Sequence, residues 1–235
     1  MIPVLALLAE PDLEKLNEAA RGGLHEMPGC HELQGELVRV AWVGVLKDTE
    51  SYDLKARLVD GEWQQLDFEL QEDQASNVEL ALDMGEARYP FVPPMLGALP
   101  AESRSEHSLG ESLMAEVVEA LSGEVETAWV SVGELEGQQV YVLERSIAIE
   151  DTRNRELDLR VWVEEGQDRA RRWEATLPRG VRLATGTWLR KVGVVLEVDE
   201  QGLPQAERLV GTMRAGPIAV RLRQKLSWEV VGSCE

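Results

Sequence analysis

Apolar and polar side chains alternate with a period of two through most of this chain. Ile218, Val220, Leu222, Leu226, Trp228 and Val230 alternate with Ala219, Arg221, Arg223, Lys225, Ser227 and Glu229. Successive side chains of an extended strand point to opposite faces, so this is a strand with one buried and one wet face. The pattern recurs around Tyr52–Leu58, Gln65–Leu70, Val78–Met84 and Leu157–Val163. Further strands are predicted over Leu33–Leu46, bent or bulged at Gly35 and Gly44, and over Thr127–Val132, Gln138–Ile149, Arg171–Leu177, Thr187–Val198 and Gln205–Thr212. Asp60-Gly61 between two such runs is a hairpin signal.

Three segments depart from this period. Leu13, Leu16, Ala20 and Leu24 recur at helical spacing and predict a helix over Pro11–Arg21, closed by Gly22-Gly23. A second helix is predicted from Ser108, whose side chain forms a capping box with Glu111. Its apolar stripe is Leu109, Leu113, Val117 and Leu121. Between them, Gly85–Glu106 carries Pro90, Pro93, Pro94 and Pro100, which exclude a central strand or helix interior.

Some strands are apolar on both faces. Val192, Val194, Leu196 and Val198 share one face of Thr187–Val198, while Leu189 and Val195 lie on the other. A sheet of that kind needs cover. The expected fold is therefore α+β and β-rich: a large curved antiparallel sheet, an open or half barrel, covered by two helices and the Pro-rich loop. A single domain spanning 1–235 is expected. A faint echo of Glu32-Leu33-Gln34-Gly35 in Glu134-Leu135-Glu136-Gly137 leaves a weak duplication, with halves of about 10–107 and 108–235, as the alternative.

This order of elements resembles the periplasmic lipoprotein-carrier family. In that family an N-terminal helix precedes antiparallel strands in an unclosed barrel, with helices inserted midway and further strands after them. The resemblance spans most of the chain and rests on no specific motif. It implies a sheet enclosing an apolar cavity for acyl chains.

Charge narrows the partners. The 24 Lys and Arg against 43 Asp and Glu give a formal charge of −19, which repels phosphate backbones and anionic headgroups and argues against nucleic acid. The distribution is uneven: residues 1–150 hold 9 basic and 30 acidic side chains, net −21, and residues 151–235 hold 15 and 13, net +2. That asymmetry reads as a solvated acidic surface or as a dipole that orients the molecule on a partner. No run approaches the length of a membrane span. Ile2–Ala9 reads either as the tail of a signal-peptide hydrophobic region, without a basic n-region, or as a lead-in to the first element.

Catalytic signatures are absent: there is no G-x-S-x-G, no P-loop and no G-x-G-x-x-G opening a helix. His25, Cys30 and His31 cluster without a metal-ligand spacing, so neither a metal nor a cofactor is expected. Asp67 and Glu69 share a wet strand face opposite Phe68 and Leu70. Cys30 precedes the first long strand and Cys234 follows the last. In a curved sheet those ends approach, and an exported chain would form one disulfide there, whereas a cytoplasmic one would keep two thiols.

The expected function is that of a non-enzymatic, periplasmic or secreted protein holding an apolar or acyl-bearing ligand under a loop lid. Phe91, Val92, Met95 and Leu96 are the candidate lid contacts, with Trp42 and Trp188 lining the sheet. Trp162 shares the nominally wet face of its strand with Arg160 and Glu164, which marks a covered site or a partner contact. The alternative is a structural or protein-interaction module with a solid core and no ligand, in which the loop and Trp162 dock a protein partner.

Overall fold

A computed structural model describes residues 12–21, 29–60, 62–71, 129–148, 156–177, 179–184 and 187–234. The predicted strand Val78–Met84, the Pro-rich loop, the helix from Ser108 and Gly61 lie outside the described residues.

Helix α1 spans Leu13–Arg21. Asp12 begins it, its carbonyl accepting from Leu16 N at 3.0 Å and its carboxylate from Lys15 N at 3.4 Å, as an N-cap aspartate does. Leu16 and Ala20 of the expected stripe are buried, together with Ala19, whereas Leu13 at the first turn is 52% exposed and Leu24 lies outside the described residues.

The strands are β1 (Cys30–Val43), β2 (Leu46–Val59), β3 (Glu62–Leu70), β4 (Trp129–Leu135), β5 (Gln138–Ala148), β6 (Glu156–Glu164), β7 (Ala170–Leu177), β8 (Val181–Ala184), β9 (Thr187–Val198), β10 (Pro204–Ala215) and β11 (Ile218–Ser233). They form one antiparallel sheet in the order β3-β2-β1-β11-β10-β9-β7-β6-β5-β4, with β8 also on β9. Neither outermost strand, β3 nor β4, closes onto the other, so the sheet is an open half-barrel. The first long strand lies beside the last, and β1 joins β2 and β3 to the rest of the sheet through its pairing with β11.

One face carries α1 and the core; we call it the inner face. Leu33 and Leu37 of β1, Leu54, Ala56 and Leu58 of β2, and Leu222, Leu226 and Trp228 of β11 are buried there. So are Val194 and Leu196 of β9, Trp173 and Leu177 of β7, and Leu157, Leu159, Val161 and Val163 of β6. Each buried Val or Leu among them contributes about 1.5–3 kcal/mol by leaving water. Trp173 also donates from Nε1 to the Ala20 carbonyl at 3.1 Å, which satisfies its buried N–H and one carbonyl at the helix end.

Gly35 was expected to bend β1, but β1 pairs continuously past it with Trp228 opposite. A Cβ at Gly35 would lie 2.7 Å from both the Trp228 ring and the Ser227 carbonyl. The glycine provides room for an indole. Gly44 does turn the chain, at φ +63° between β1 and β2.

Candidate functional site

The inner face is apolar across most of the sheet, with a cluster of polar side chains near the β1–β2 hairpin. Cross-strand register places Glu50 (β2), Arg39 (β1) and Gln224 (β11) side by side, followed by Leu209, Val194, Ala175, Leu159 and Arg145 on successive strands. Arg39 ion-pairs with Glu50, and the Tyr52 hydroxyl donates to the same Glu50 Oε2 at 2.9 Å. Gln224 is buried beside them. A second inner-face carboxylate, Glu207, is also buried and accepts from Trp228 Nε1 at 3.4 Å.

A charged pair in so apolar a wall costs desolvation, which the mutual attraction and the tyrosine hydrogen bond offset. The sequence signal for it is a break of phase. Arg39 and Glu50 fall where the period of Leu33, Leu37 and of Tyr52, Leu54 places apolar residues. On β5, burial raises the Tyr141 phenol above its ordinary range, and the nearby Glu165 carboxylate adds to the shift. Such a wall can hold an aliphatic chain along its apolar rows and a hydrogen-bonding end group near Arg39, Glu50 and Gln224.

The tryptophans require a correction. Trp42 and Trp188 were expected to line this wall, but the register places both on the outer face. Trp42 follows the parity of Glu32, Gln34 and Glu36 and lies between Lys47 and Arg221. Trp188 would share the inner phase of Val192 in a regular strand. A bulge, with Lys191 at φ +54°, inserts one residue, so Trp188 pairs with Arg214 and Arg190 with Thr212. One inserted residue exchanges the two faces of a strand for everything beyond it. Arg223 stands 6.0 Å over the Trp42 ring and Arg190 5.7 Å over that of Trp188.

Trp162 is half-buried on the outer face of β6, opposite Val142 of β5. The Arg172 guanidinium lies 5.0 Å over its ring and is ion-paired with Glu197 at 3.2 Å and Glu174 at 3.6 Å. Val140 and Val142 beside it are buried although they face away from the main core. Phe91, Val92, Met95 and Leu96 lie outside the described residues.

Cys30 and Cys234 are joined by a disulfide with a Cα separation of 5.2 Å. It continues the β1–β11 ladder, and Cys234 N donates to the Cys30 carbonyl at 3.2 Å. Among the described residues no cluster of His, Cys, Asp or Glu is arranged to hold a metal, and no helix is long and apolar enough to cross a membrane.

No family model and no curated protein matches the chain. Solved structures similar to it include a LolA superfamily protein from Nitrosomonas europaea, at 10% identity and TM-score 0.32 over 94% of this chain and 92% of that one. A putative outer membrane lipoprotein-sorting protein domain from Vibrio parahaemolyticus matches at 16% identity and TM-score 0.35, over 95% and 93% of the two chains. A DUF1329 family protein from Desulfovibrio piger matches at 13% identity and TM-score 0.33, over 92% and 90%.

Proposed function

We propose that this chain is a non-enzymatic binding protein that holds an apolar or acyl-bearing ligand against the inner face of its open sheet. One observation carries the reading: a largely apolar wall on an unclosed antiparallel sheet, interrupted by a polar row at Arg39, Glu50 and Gln224, with Tyr52 and the buried Glu207 in the neighbouring row. That combination fits an amphiphile, with its chain on the aliphatic rows and its polar end on the guanidinium and amide. The Cys30–Cys234 disulfide supports residence in an oxidising compartment, periplasmic or extracellular. Phe91, Val92, Met95 and Leu96 remain the proposed lid, and Trp162 a partner contact.

Native mass spectrometry of gently purified protein tests the reading. The expected spectrum contains a species heavier than the polypeptide by the mass of an amphiphile, lost on organic extraction and regained on adding a fatty-acyl probe. A bare polypeptide mass together with no binding of the probe would overturn it.

A second reading is supported by the depth of packing under α1. Trp173, Leu157, Leu159, Leu177 and Leu196 are each below 2% exposed, as in a solid core that leaves no room for a ligand. On that reading the protein is an interaction module, and the same spectrum shows the bare chain.

A further inference from the structure

The end of the sheet formed by the β1–β2 and β10–β11 hairpins has a composition unlike the rest of this acidic chain. On the outer face, one row crosses five strands as Arg190, Thr212, Arg221, Trp42 and Lys47. One step toward the tips Trp188 pairs with Arg214, and one step back Arg223 lies between Val210 and Val40. Lys191 projects from the bulge, and Lys225 extends the strip along β11. The seven cations just named are exposed, and among the described residues none of them makes an ion pair. Of the nearest carboxylates in register, Glu50 lies on the inner face and is taken by Arg39.

The tips themselves are apolar. Val43 of β1 pairs with Val220 of β11, so the two hairpin turns are neighbours. They carry Val45 at 98% exposure, Leu46 at 50% and Ile218 at 55%. Exposed aliphatic residues on two adjacent turns, a belt of arginines and lysines behind them and two half-buried indoles among those charges make an amphipathic end. Aliphatic side chains enter the acyl boundary, indoles settle at the headgroup level, and cations meet anionic phosphates.

We infer that this end of the half-barrel docks on an anionic lipid bilayer, with Val45, Leu46 and Ile218 entering the interface and Arg190, Arg221 and Lys47 facing its phosphates. Charge complementarity names the occupant: exposed cations with no ion pair among the described residues gather at one end of a molecule whose formal charge is −19. A nucleic acid offers the same phosphates but no apolar phase for the two tips. The opposite end presents Asp60, Glu136, Glu165, Asp168, Asp199 and Glu200 in its turns, so the molecule's own dipole turns the basic end toward a negative surface and the acidic end away. The inference goes beyond the ligand reading and does not depend on it, because docking is read on vesicles whether or not the inner face is loaded.

Co-sedimentation with vesicles of phosphatidylcholine and phosphatidylglycerol tests it, against vesicles of phosphatidylcholine alone. Binding to the anionic vesicles is expected, falling as salt is raised. Arg190→Gln with Arg221→Gln should lower the partition coefficient about thirtyfold, at roughly 1 kcal/mol per cation removed. Val45→Ser with Ile218→Ser should lower it severalfold at unchanged charge. Both pairs are exposed, so an unchanged melting temperature confirms that the variants are folded. Absence of binding to anionic vesicles overturns the inference. It is equally overturned if the Val45→Ser, Ile218→Ser variant binds as the parent does, or if a single-stranded oligonucleotide displaces the protein from vesicles at matched phosphate concentration.

Discussion

At one end of the sheet the chain is tied to itself; at the other it is not. Around Cys30 and Cys234 the turns are held by covalent and charged links. Asp60 and Gly29 exchange hydrogen bonds, Asp60 N donating to the Gly29 carbonyl and Gly29 N to Asp60 Oδ1, each at 2.8 Å. Arg171 donates from Nη1 to Glu164 and from Nε to the Val198 carbonyl, both at 3.0 Å, clamping β6, β7 and β9 together. Asp199 Oδ1 accepts from the amides of Gln201 and Leu203 at 2.8 and 2.9 Å and fixes the β9–β10 turn. Acidic side chains here mostly have a structural job. At the far end the outer-face cations Arg190, Arg214, Arg221, Arg223 and Lys47 have no carboxylate partner among the described residues, and the hairpin tips hold apolar side chains in water. Interactions that stabilise the fold gather at the first end. Groups that cost stability or add none gather at the second, as expected of a surface kept for a partner.

Mutations can break that contrast. The largest effect is expected from the disulfide, which closes a sequence separation of 204 residues. In the chain-entropy model that loop is worth about 5 kcal/mol. Cys30→Ser with Cys234→Ser, or reduction of the parent, should therefore lower the denaturant midpoint strongly. A midpoint unmoved by reduction would show that the β1–β11 seam holds without it.

Next comes Arg171. Replacing it with Met leaves Glu164 without its donor and frees the Val198 carbonyl, at a cost of about 2–3 kcal/mol in urea unfolding. Arg39→Met should cost about as much alone, since it strands Glu50, yet far less when combined with Glu50→Leu, which removes both charges from the wall. A double-mutant cycle reads this directly, and an additive result would argue against coupling. Asp199→Ala should cost about 1 kcal/mol by releasing two turn amides. The smallest effect should be at the basic end, where Val45→Ser and Arg214→Gln are each expected to stay within about 0.5 kcal/mol. A loss of several kcal/mol there would mean that this end supports the fold after all.

The sequence alone determined the elements and the phase of most of them. Period-two runs such as Leu157–Val163 can only be strands buried on one side, and α1 followed from the spacing of Leu13, Leu16 and Ala20. The open antiparallel architecture was legible for the same reason: one apolar face per strand and hairpin turns between neighbours leave few other ways to build a core. What the sequence could not carry was contact across the chain. That β1 lies beside β11, so that Cys30 meets Cys234, is a fact of sheet order. Gly35 answers to Trp228, a residue nearly two hundred positions away, and reads locally only as a bend. Register then decided the candidate site. Arg39, Glu50 and Gln224 come from three strands and meet only because the ladders align them, while the bulge at Lys191 moves Trp188 to the outer face. Periodicity is a local property of a strand, whereas alignment and bulges are settled between strands by which side chains can be buried together.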